Sequence, residues 1–432
     1  MNKLFTLMLA LAVTLTVAGQ QVKQEISENK CLSGSNHLAY PGPSQERLTP
    51  APKGYRPFYI SHYGRHGSRY LIGQDEYDVP VKVLARADSM GKLTPLGADV
   101  LRRARLLKEE AKGRLGELTP LGAEQHRQIA RRMYGRFPEV FKGDVTVDAK
   151  STVVIRCILS MENELQELLR LNPKLVIKHD ASEHDMYYMN LSDRALSAKK
   201  TPRRAVVAWN EYCAGRVRCM PLMQRLFNDE AYVKYEVDTL DLARRLFKLA
   251  SNVQSSPLGE EMTLYDIFTD DELYGFWQAD NASWYIGYGA CTLNGATQPF
   301  SQRNLLRNII HEADSCIALE HPGATLRFGH ETMVLPLTCL LDINGYGLST
   351  GDLGQLEERG WVNYRIFPMG ANIQLVFFRK DAKDSDVLVK VLLNENEATL
   401  PLPSDLAPYY HWSDFKDFYL KKLDAYSSSV SN

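Results

Sequence analysis

Short apolar runs alternate with stretches of helical period through the first half of this chain. Phe58, Tyr59 and Ile60 form a compact run that reads as a buried strand. Asp99 to Ala111 then repeats apolar residues at Val100, Leu101, Ala104 and Leu107, the spacing of one helix face. A second helix is predicted through His126, Ile129 and Met133. Val145-Thr-Val147 and Thr152-Val-Val-Ile155 read as strand, broken by Asp148-Ala-Lys150. Ser160 to Leu171 is predicted helical, with Met161, Leu165, Leu168 and Leu169 on one face, and Leu175-Val-Ile177 is another buried strand. Strand, helix, strand, helix, strand predicts an α/β fold with a mainly parallel central sheet flanked by helices.

The rhythm changes between about His184 and Glu320, where helical periods dominate at Leu240–Leu249 and at Leu305, Ile309, Ala313 and Ile317. An aromatic stretch from Tyr274 to Tyr288 lies between them. Strands then resume at Leu326–His330, Ile373–Phe378 and Val387–Leu393. The domain reading is an α/β unit over 20–183 and 321–432, with 184–320 as a mostly helical subdomain inserted in it and packed on the sheet. Residues 20–52, polar and bearing Pro41, Pro43, Pro50 and Pro52, read as loop. Leu93-Thr-Pro-Leu-Gly-Ala98 recurs as Leu118-Thr-Pro-Leu-Gly-Ala123, each copy offering threonine as N-cap and proline at the first helical position.

Composition narrows the class. The 432 residues are 44% hydrophobic with a formal net charge of -1, so a sizeable core is available and a nucleic-acid partner is disfavoured. Any anion site must come from local placement of arginines. Lys3, the apolar run Leu4–Val17 and the small residues Ala18 and Gly19 match a secretory signal peptide over 1–19, and no later run is long enough to span a bilayer. The expectation is an exported protein, periplasmic or secreted, with no membrane span in the mature chain. Seven cysteines leave at least one unpaired, Cys213 and Cys219 could close a small loop, and none has zinc spacing.

Candidate chemistry concentrates in Ile60-Ser-His-Tyr-Gly-Arg-His-Gly-Ser-Arg-Tyr70, where a strand becomes a loop. Arg65, His66 and Arg69 set one imidazole between two guanidiniums, with Gly64 and Gly67 allowing close approach of the backbone. Guanidinium forks bind phosphate oxygens bidentately, and a neutral imidazole is a nucleophile. Arg156 interrupts an apolar run and needs an anionic partner, either a structural carboxylate or a ligand. His330-Glu331 follows a strand and offers a second imidazole beside a carboxyl group; alone, it reads as a solvent-facing loop pair. His126, on a helix face, reads as a satisfied core histidine. Two basic runs, Lys199, Lys200, Arg203, Arg204 and Arg216, Arg218, are candidate rims for an anionic ligand.

Arg65-His66-Gly67-Ser68-Arg69 is the Arg-His-Gly-x-Arg signature of the histidine acid phosphatases, and the sequence resembles that family from about Phe58 to Leu402. Leu118-Thr-x-x-Gly122-x-x-x-His126, the Arg156-x-x-x-Ser160 helix start and Gly329-His330 follow in the family order, as do Phe367-Pro-Met-Gly-Ala-Asn372 and Val387–Asn394. The resemblance is greatest to the multiple inositol polyphosphate phosphatase branch. It implies a phosphoglycerate-mutase-like fold and a phosphohistidine mechanism without cofactor or metal. His66 would be the nucleophile, with Arg65, Arg69, Arg156 and His330 holding the phosphoryl oxygens and Glu331 donating the proton. One departure is plain: most members carry His-Asp here and this branch commonly His-Ala-Glu, whereas this chain has His330-Glu331 with nothing between. The implied substrates are small phosphate esters, inositol hexakisphosphate and other inositol polyphosphates. Sugar phosphates or nucleotides are the alternative substrates, and a non-catalytic phosphate-ester binding protein is the alternative class.

Overall fold

The computed structural model describes residues 20–190 and 193–431, so the apolar segment read as a signal peptide lies outside the described residues. Its strands are β1 (Arg56–Arg65), β2 (Thr146–Ser151), β3 (Val176–Asp180), β4 (Gly323–Gly329), β5 (Asn372–Arg379), β6 (Leu388–Leu393), β7 (Asn396–Glu397) and β8 (Tyr409–His411). Among the described residues these form one sheet in the order β3-β2-β4-β1-β5-β6-β7, with β8 also on β6. β1, β2, β3 and β4 pair in parallel, whereas β5 runs antiparallel to both β1 and β6. The mainly parallel core is as the strand-helix alternation requires, and the carboxy-terminal strands close it with antiparallel pairings. In the β1–β4 register Arg65 stands opposite Gly329, so the two chemistry-bearing loops leave the sheet side by side at its carboxyl edge.

The longer helices are α1 (Gln74–Ser89), α2 (Pro95–Glu110), α3 (Pro120–Arg136), α4 (Ile155–Leu171), α5 (Thr239–Val253), α6 (Asp270–Tyr288), α7 (Arg303–Ile317), α8 (Glu331–Leu341) and α9 (Trp412–Ser431). Thr94 and Thr119 cap α2 and α3, accepting from the amides of Gly97 and Gly122. Each proline follows in the first turn, where a missing N–H costs nothing.

Four local readings are corrected. Asp148-Ala-Lys150 is the middle of β2, not a break: Val147, Ala149 and Ser151 are buried while Asp148 and Lys150 face outward, the alternation of a strand. Thr152–Val154 is the turn that follows, and α4 begins at Ile155, which puts Arg156 in its first turn. The run at Leu175 is an exposed edge strand, because β3 has a neighbour only on the β2 side. Finally, 20–52 is not all loop: 20–28 is helical and Lys30–His37 is a 3-10 segment, with Val22 and Ile26 buried.

Burial falls into three clusters. One side of the sheet packs on α7, α8 and α9, the other on α3 and α4. The third draws Val22, Ile26, α1, α2, α5 and the first half of α6 into a helical body that uses almost no strand residue. Within 184–320, Leu222 to Trp277 pack in that body, whereas Ala282 to Ala313 pack with the sheet.

Candidate active site

Arg65 is the last residue of β1, so its position is fixed by two flanking strands, and His66 and Gly67 begin the loop. The His66 amide donates to the Gly329 carbonyl (3.0 Å) and the Arg65 amide to Ala371 (2.7 Å). The loop is then clamped by α3 and α4. Gly67 N donates to Ser160 Oγ (3.1 Å), Ser68 N to Gln125 Oε1 (2.8 Å), and the Thr119 amide to Ser68 O (2.9 Å). A Cβ on Gly67 would lie 2.3 Å from the Gly122 carbonyl, and one on Gly122 would lie 2.2 Å from that of Ser68. Gly67 therefore serves a backbone-to-backbone approach of loop and helix, rather than the approach to a ligand read from sequence. His126 is a core histidine, its Nδ1 2.9 Å from Glu164 Oε2 with both side chains fully buried.

The structure brings all six sequence-selected residues into one place. His66 donates from Nδ1 to its neighbour's carbonyl, Gly67 O, at 2.9 Å, which leaves Nε2 unprotonated and facing the site. Glu331 Oε2 lies 3.6 Å from that nitrogen and 3.1 Å from Arg65 Nε, and Asn36 Nδ2 lies 3.4 Å from Oε1. The ring of His330 is 5.8 Å from that of His66, edge to face, and its Nε2 is 3.3 Å from Thr152 Oγ1. His330 caps α8 and Glu331 is its first residue, so neither is the solvent-facing loop residue of the isolated reading; both are buried. Arg156 forms no ion pair among the described residues, so its structural-carboxylate reading is not realised; its nearest acceptor is Gly116 O at 3.5 Å.

Several buried guanidinium nitrogens here have no hydrogen-bond partner in the protein, Arg65 Nη2, Arg69 Nε and Arg156 Nε, and neither has the lone pair of His66 Nε2. Guanidinium donors buried without acceptors are costly, and their clustering marks a place built for an anion with several oxygens. Arg156 lies in the first turn of α4 and His330-Glu331 at the start of α8, so the N-termini of both helices stand beside this centre.

Electrostatics sharpen the roles. Burial pushes His66 well below the ordinary imidazole value, and the charges of Arg65 and Arg69 push it further against the pull of Glu331. His330 falls to about 4, again through burial first and then Arg156, Arg65 and Arg69. Both imidazoles are thus neutral at mildly acidic pH. Burial would raise Glu331, but the guanidinium charges of Arg65 and Arg69 hold its carboxyl well below the usual value. Burial also lowers Arg65, to about 10, which leaves it charged.

One ligand atom from each of His66, His330 and Glu331 lies within 4.8 Å of the others, a spacing a metal ion could use. Arg65 Nε on the same carboxylate and Arg69 close by put guanidinium charge where the cation would sit, so the donor set suits an anion better.

Asn36 and Arg69 connect this centre to a cleft of about 340 Å³, also lined by His37, Trp209, Arg244, Phe247, Lys248, Asp280 and Trp284. Sequence reading missed these residues. Arg244 and Lys248 sit one turn apart on α5, within an amphipathic pattern that accounts for them equally well as solvated charges. Of the two basic runs named from sequence, Arg216 and Arg218 line a separate cavity with Tyr274 and Gln278. Lys200 of the other run stands with Nζ 3.3 Å over the ring of Tyr288, which stacks on the cleft residue Trp284 and lies near enough to Glu331 to feel its charge. All seven cysteines are free thiols.

A sequence profile described as histidine phosphatase superfamily (branch 2) matches residues 65–394. A search of curated protein sequences finds no significant match. Among solved structures, the chain is similar to Bifidobacterium longum multiple inositol polyphosphate phosphatase in complex with inositol hexasulfate, at TM-score 0.76 and 18% identity, covering 89% of this chain and 96% of that one. It is also similar to the phytase from D. castellii (TM-score 0.67, 14% identity, 91% and 85% covered) and to Hafnia alvei phytase in complex with tartrate (0.53, 14%, 86% and 98%).

Proposed function

We infer, for a chain that belongs to branch 2 of the histidine phosphatase superfamily and is therefore a phosphatase, that its substrates are inositol polyphosphates, cleaved through a phosphohistidine at His66. The carrying observation is the group of unpartnered donors on Arg65, Arg69 and Arg156 around the free Nε2 of His66. In the proposed first step Nε2 attacks phosphorus and the bond to the ester oxygen breaks. The guanidiniums and His330 hold the non-bridging oxygens as charge shifts onto the leaving group. Water then attacks the phosphohistidine, releasing phosphate and restoring neutral His66.

Glu331 is the proposed donor to the departing alkoxide. In the free protein its carboxyl is held ionised by the same guanidiniums that would bind phosphate. A phosphoryl dianion seated in that clamp offsets their charge and raises the carboxyl, so substrate binding itself loads the acid. The support for inositol polyphosphates is the basic, half-enclosed cleft beside Arg69, together with a fold shared with proteins that the solved complexes describe as inositol polyphosphate phosphatase and phytases. Export is proposed from the apolar segment 4–17, and fractionation of expressing cells tests it.

The test is phosphate release from inositol hexakisphosphate and from p-nitrophenyl phosphate, by wild type, His66→Ala and Glu331→Gln. His66→Ala is expected to lose more than about 10³-fold in kcat on both. Glu331→Gln should lose roughly 10²–10⁴-fold on the inositol ester, and far less on p-nitrophenyl phosphate, whose leaving group needs no proton. Equal loss by Glu331→Gln on both esters overturns its role as acid. Activity is expected to survive chelator, since guanidiniums carry the phosphate charge.

A further inference from the structure

A glutamate carries its carboxyl on one more rotatable bond than an aspartate, so an acid of this kind needs a contact that fixes its rotation. The two oxygens of Glu331 stand in different surroundings. Oε2 lies 3.6 Å from His66 Nε2 and 3.1 Å from Arg65 Nε, against the reaction centre. Oε1 accepts instead from Asn36 Nδ2, at 3.4 Å. A phosphoryl group that draws Arg65 onto its own oxygens leaves Asn36 as the contact still holding the carboxyl.

Asn36 lies ahead of residue 65, where the family match begins, and the backbone is strained to present it. Ser35, directly before it, has a φ of 53° and a ψ of -117°, which residues with a side chain rarely adopt. Such a conformation persists only where the surroundings over-determine it. Ser35 Oγ accepts from Asn363 Nδ2 (2.7 Å), and the Ser35 side chain also hydrogen-bonds the carboxyl of Asp280. Just beyond, the Ala39 amide donates to Gln254 Oε1 (3.0 Å) and the Met369 amide to Leu38 O (2.8 Å). The Asn36 side chain is half-buried and makes no other hydrogen bond among the described residues. What this pinned turn achieves is to lay one amide on Glu331.

We propose that Asn36 is a positioning residue for the proton donor, its amide fixing the Glu331 carboxyl so that Oε2 faces the ester oxygen of a bound phosphate. The proposal rests on the assignment of Glu331 as the acid and deepens it. The proton passes from Oε2 to the departing alkoxide as the bond to phosphorus breaks, and Asn36 itself neither gives nor takes a proton.

The test compares kcat on two alkyl esters, inositol hexakisphosphate and glycerol 2-phosphate, with kcat on p-nitrophenyl phosphate, whose leaving group needs no proton. The proteins are wild type, Asn36→Ala, Asn36→Leu, Glu331→Gln and the double variant Asn36→Leu/Glu331→Gln. Each Asn36 substitution alone is expected to lower the alkyl-to-aryl ratio of kcat about tenfold, because a misplaced acid slows only the reactions that need it. Leucine keeps the branched shape and supplies a check should the alanine variant let the segment collapse. In the Glu331→Gln protein the same substitution should move the ratio less than about twofold, since no acid is left to place. Equal losses on alkyl and aryl esters, a ratio unmoved by either Asn36 substitution, or an effect as large without the acid as with it overturns the proposal. A Glu331→Gln protein with an unchanged ratio, or wild-type turnover of the aryl ester alone, overturns the acid assignment and the proposal with it.

Discussion

As the proposed nucleophile His66 must be neutral, and its surroundings are arranged to keep it so. Burial and the two flanking guanidiniums set its protonation well below the ordinary imidazole value. The acid limb of kcat/KM should therefore lie well below pH 6.5, and activity should persist into the mildly acidic range. Replacing Arg69 by glutamine removes one of the repelling charges, so that limb should move to higher pH as kcat/KM falls by roughly 10²-fold or more. A pH profile of both proteins checks this; an acid limb that stays put means that Arg69 does not act on His66. At the same scale, Arg244→Ala should raise KM for an inositol polyphosphate about tenfold more than for p-nitrophenyl phosphate, because it meets only the larger ligand. With no residue between it and His330, Glu331 still reaches the centre: its carboxylate lies 3.1 Å from Arg65 Nε, and the charges of Arg65 and Arg69 hold it well below the usual value.

The catalytic loop owes its shape to elements rather than to its own sequence. β1 and β4 deliver Arg65 and His330 to one edge, while Ser160 of α4 and the start of α3 at Thr119–Gly122 pin residues 67 and 68. Gly67 and Gly122 are the points of closest approach, with no room for a methyl group between loop and helix. Gly122→Ala should thus cost about 1–3 kcal/mol and displace Ser68, lowering kcat as well as Tm. Thermal unfolding and kinetics on the same preparation test it, and a stable, fully active Gly122→Ala protein would refute the packing argument. The His126–Glu164 pair, buried between α3 and α4, ties those helices together from behind.

Stability at the scale of the whole molecule should depend on acid pH through its buried histidines. Burial lowers His62 to about 4, with neither ring nitrogen hydrogen-bonded, and His330 stands at about 4 as well. Unfolding returns each to about 6.5, so below that value the unfolded chain takes up protons that the folded one refuses. Stability is then full above pH 6.5 and falls as pH drops toward 4. His62→Phe removes one such group from a site already packed against Phe328. It should flatten the fall by roughly 2 kcal/mol between pH 7 and pH 5. Denaturant midpoints at the two pH values decide this, and parallel loss in mutant and wild type would show that His62 is not the sensor. The cleft belongs to this scale as well, since it forms where the helical body meets the carboxyl edge of the sheet.

What the sequence determined on its own is the local and the periodic. Helix faces, the Thr-Pro caps, the order of the main strands and the Arg65-His66-Arg69 cluster are written in neighbouring residues, because spacing along the backbone sets which side chains share a face. Its errors fell where tertiary context decides. Asp148 and Lys150 sit in a strand because neighbours on both sides pair with it, and Leu175 leads into an exposed edge because β3 has one neighbour rather than two. The cleft was beyond its reach for the same reason. Asn36, the α5 pair Arg244 and Lys248, and Asp280 come from three separate segments of the chain, and each is unremarked in its own context. Only packing the helical body against the sheet gives them a common ligand, because a pocket is a property of contact between elements and no single segment encodes it.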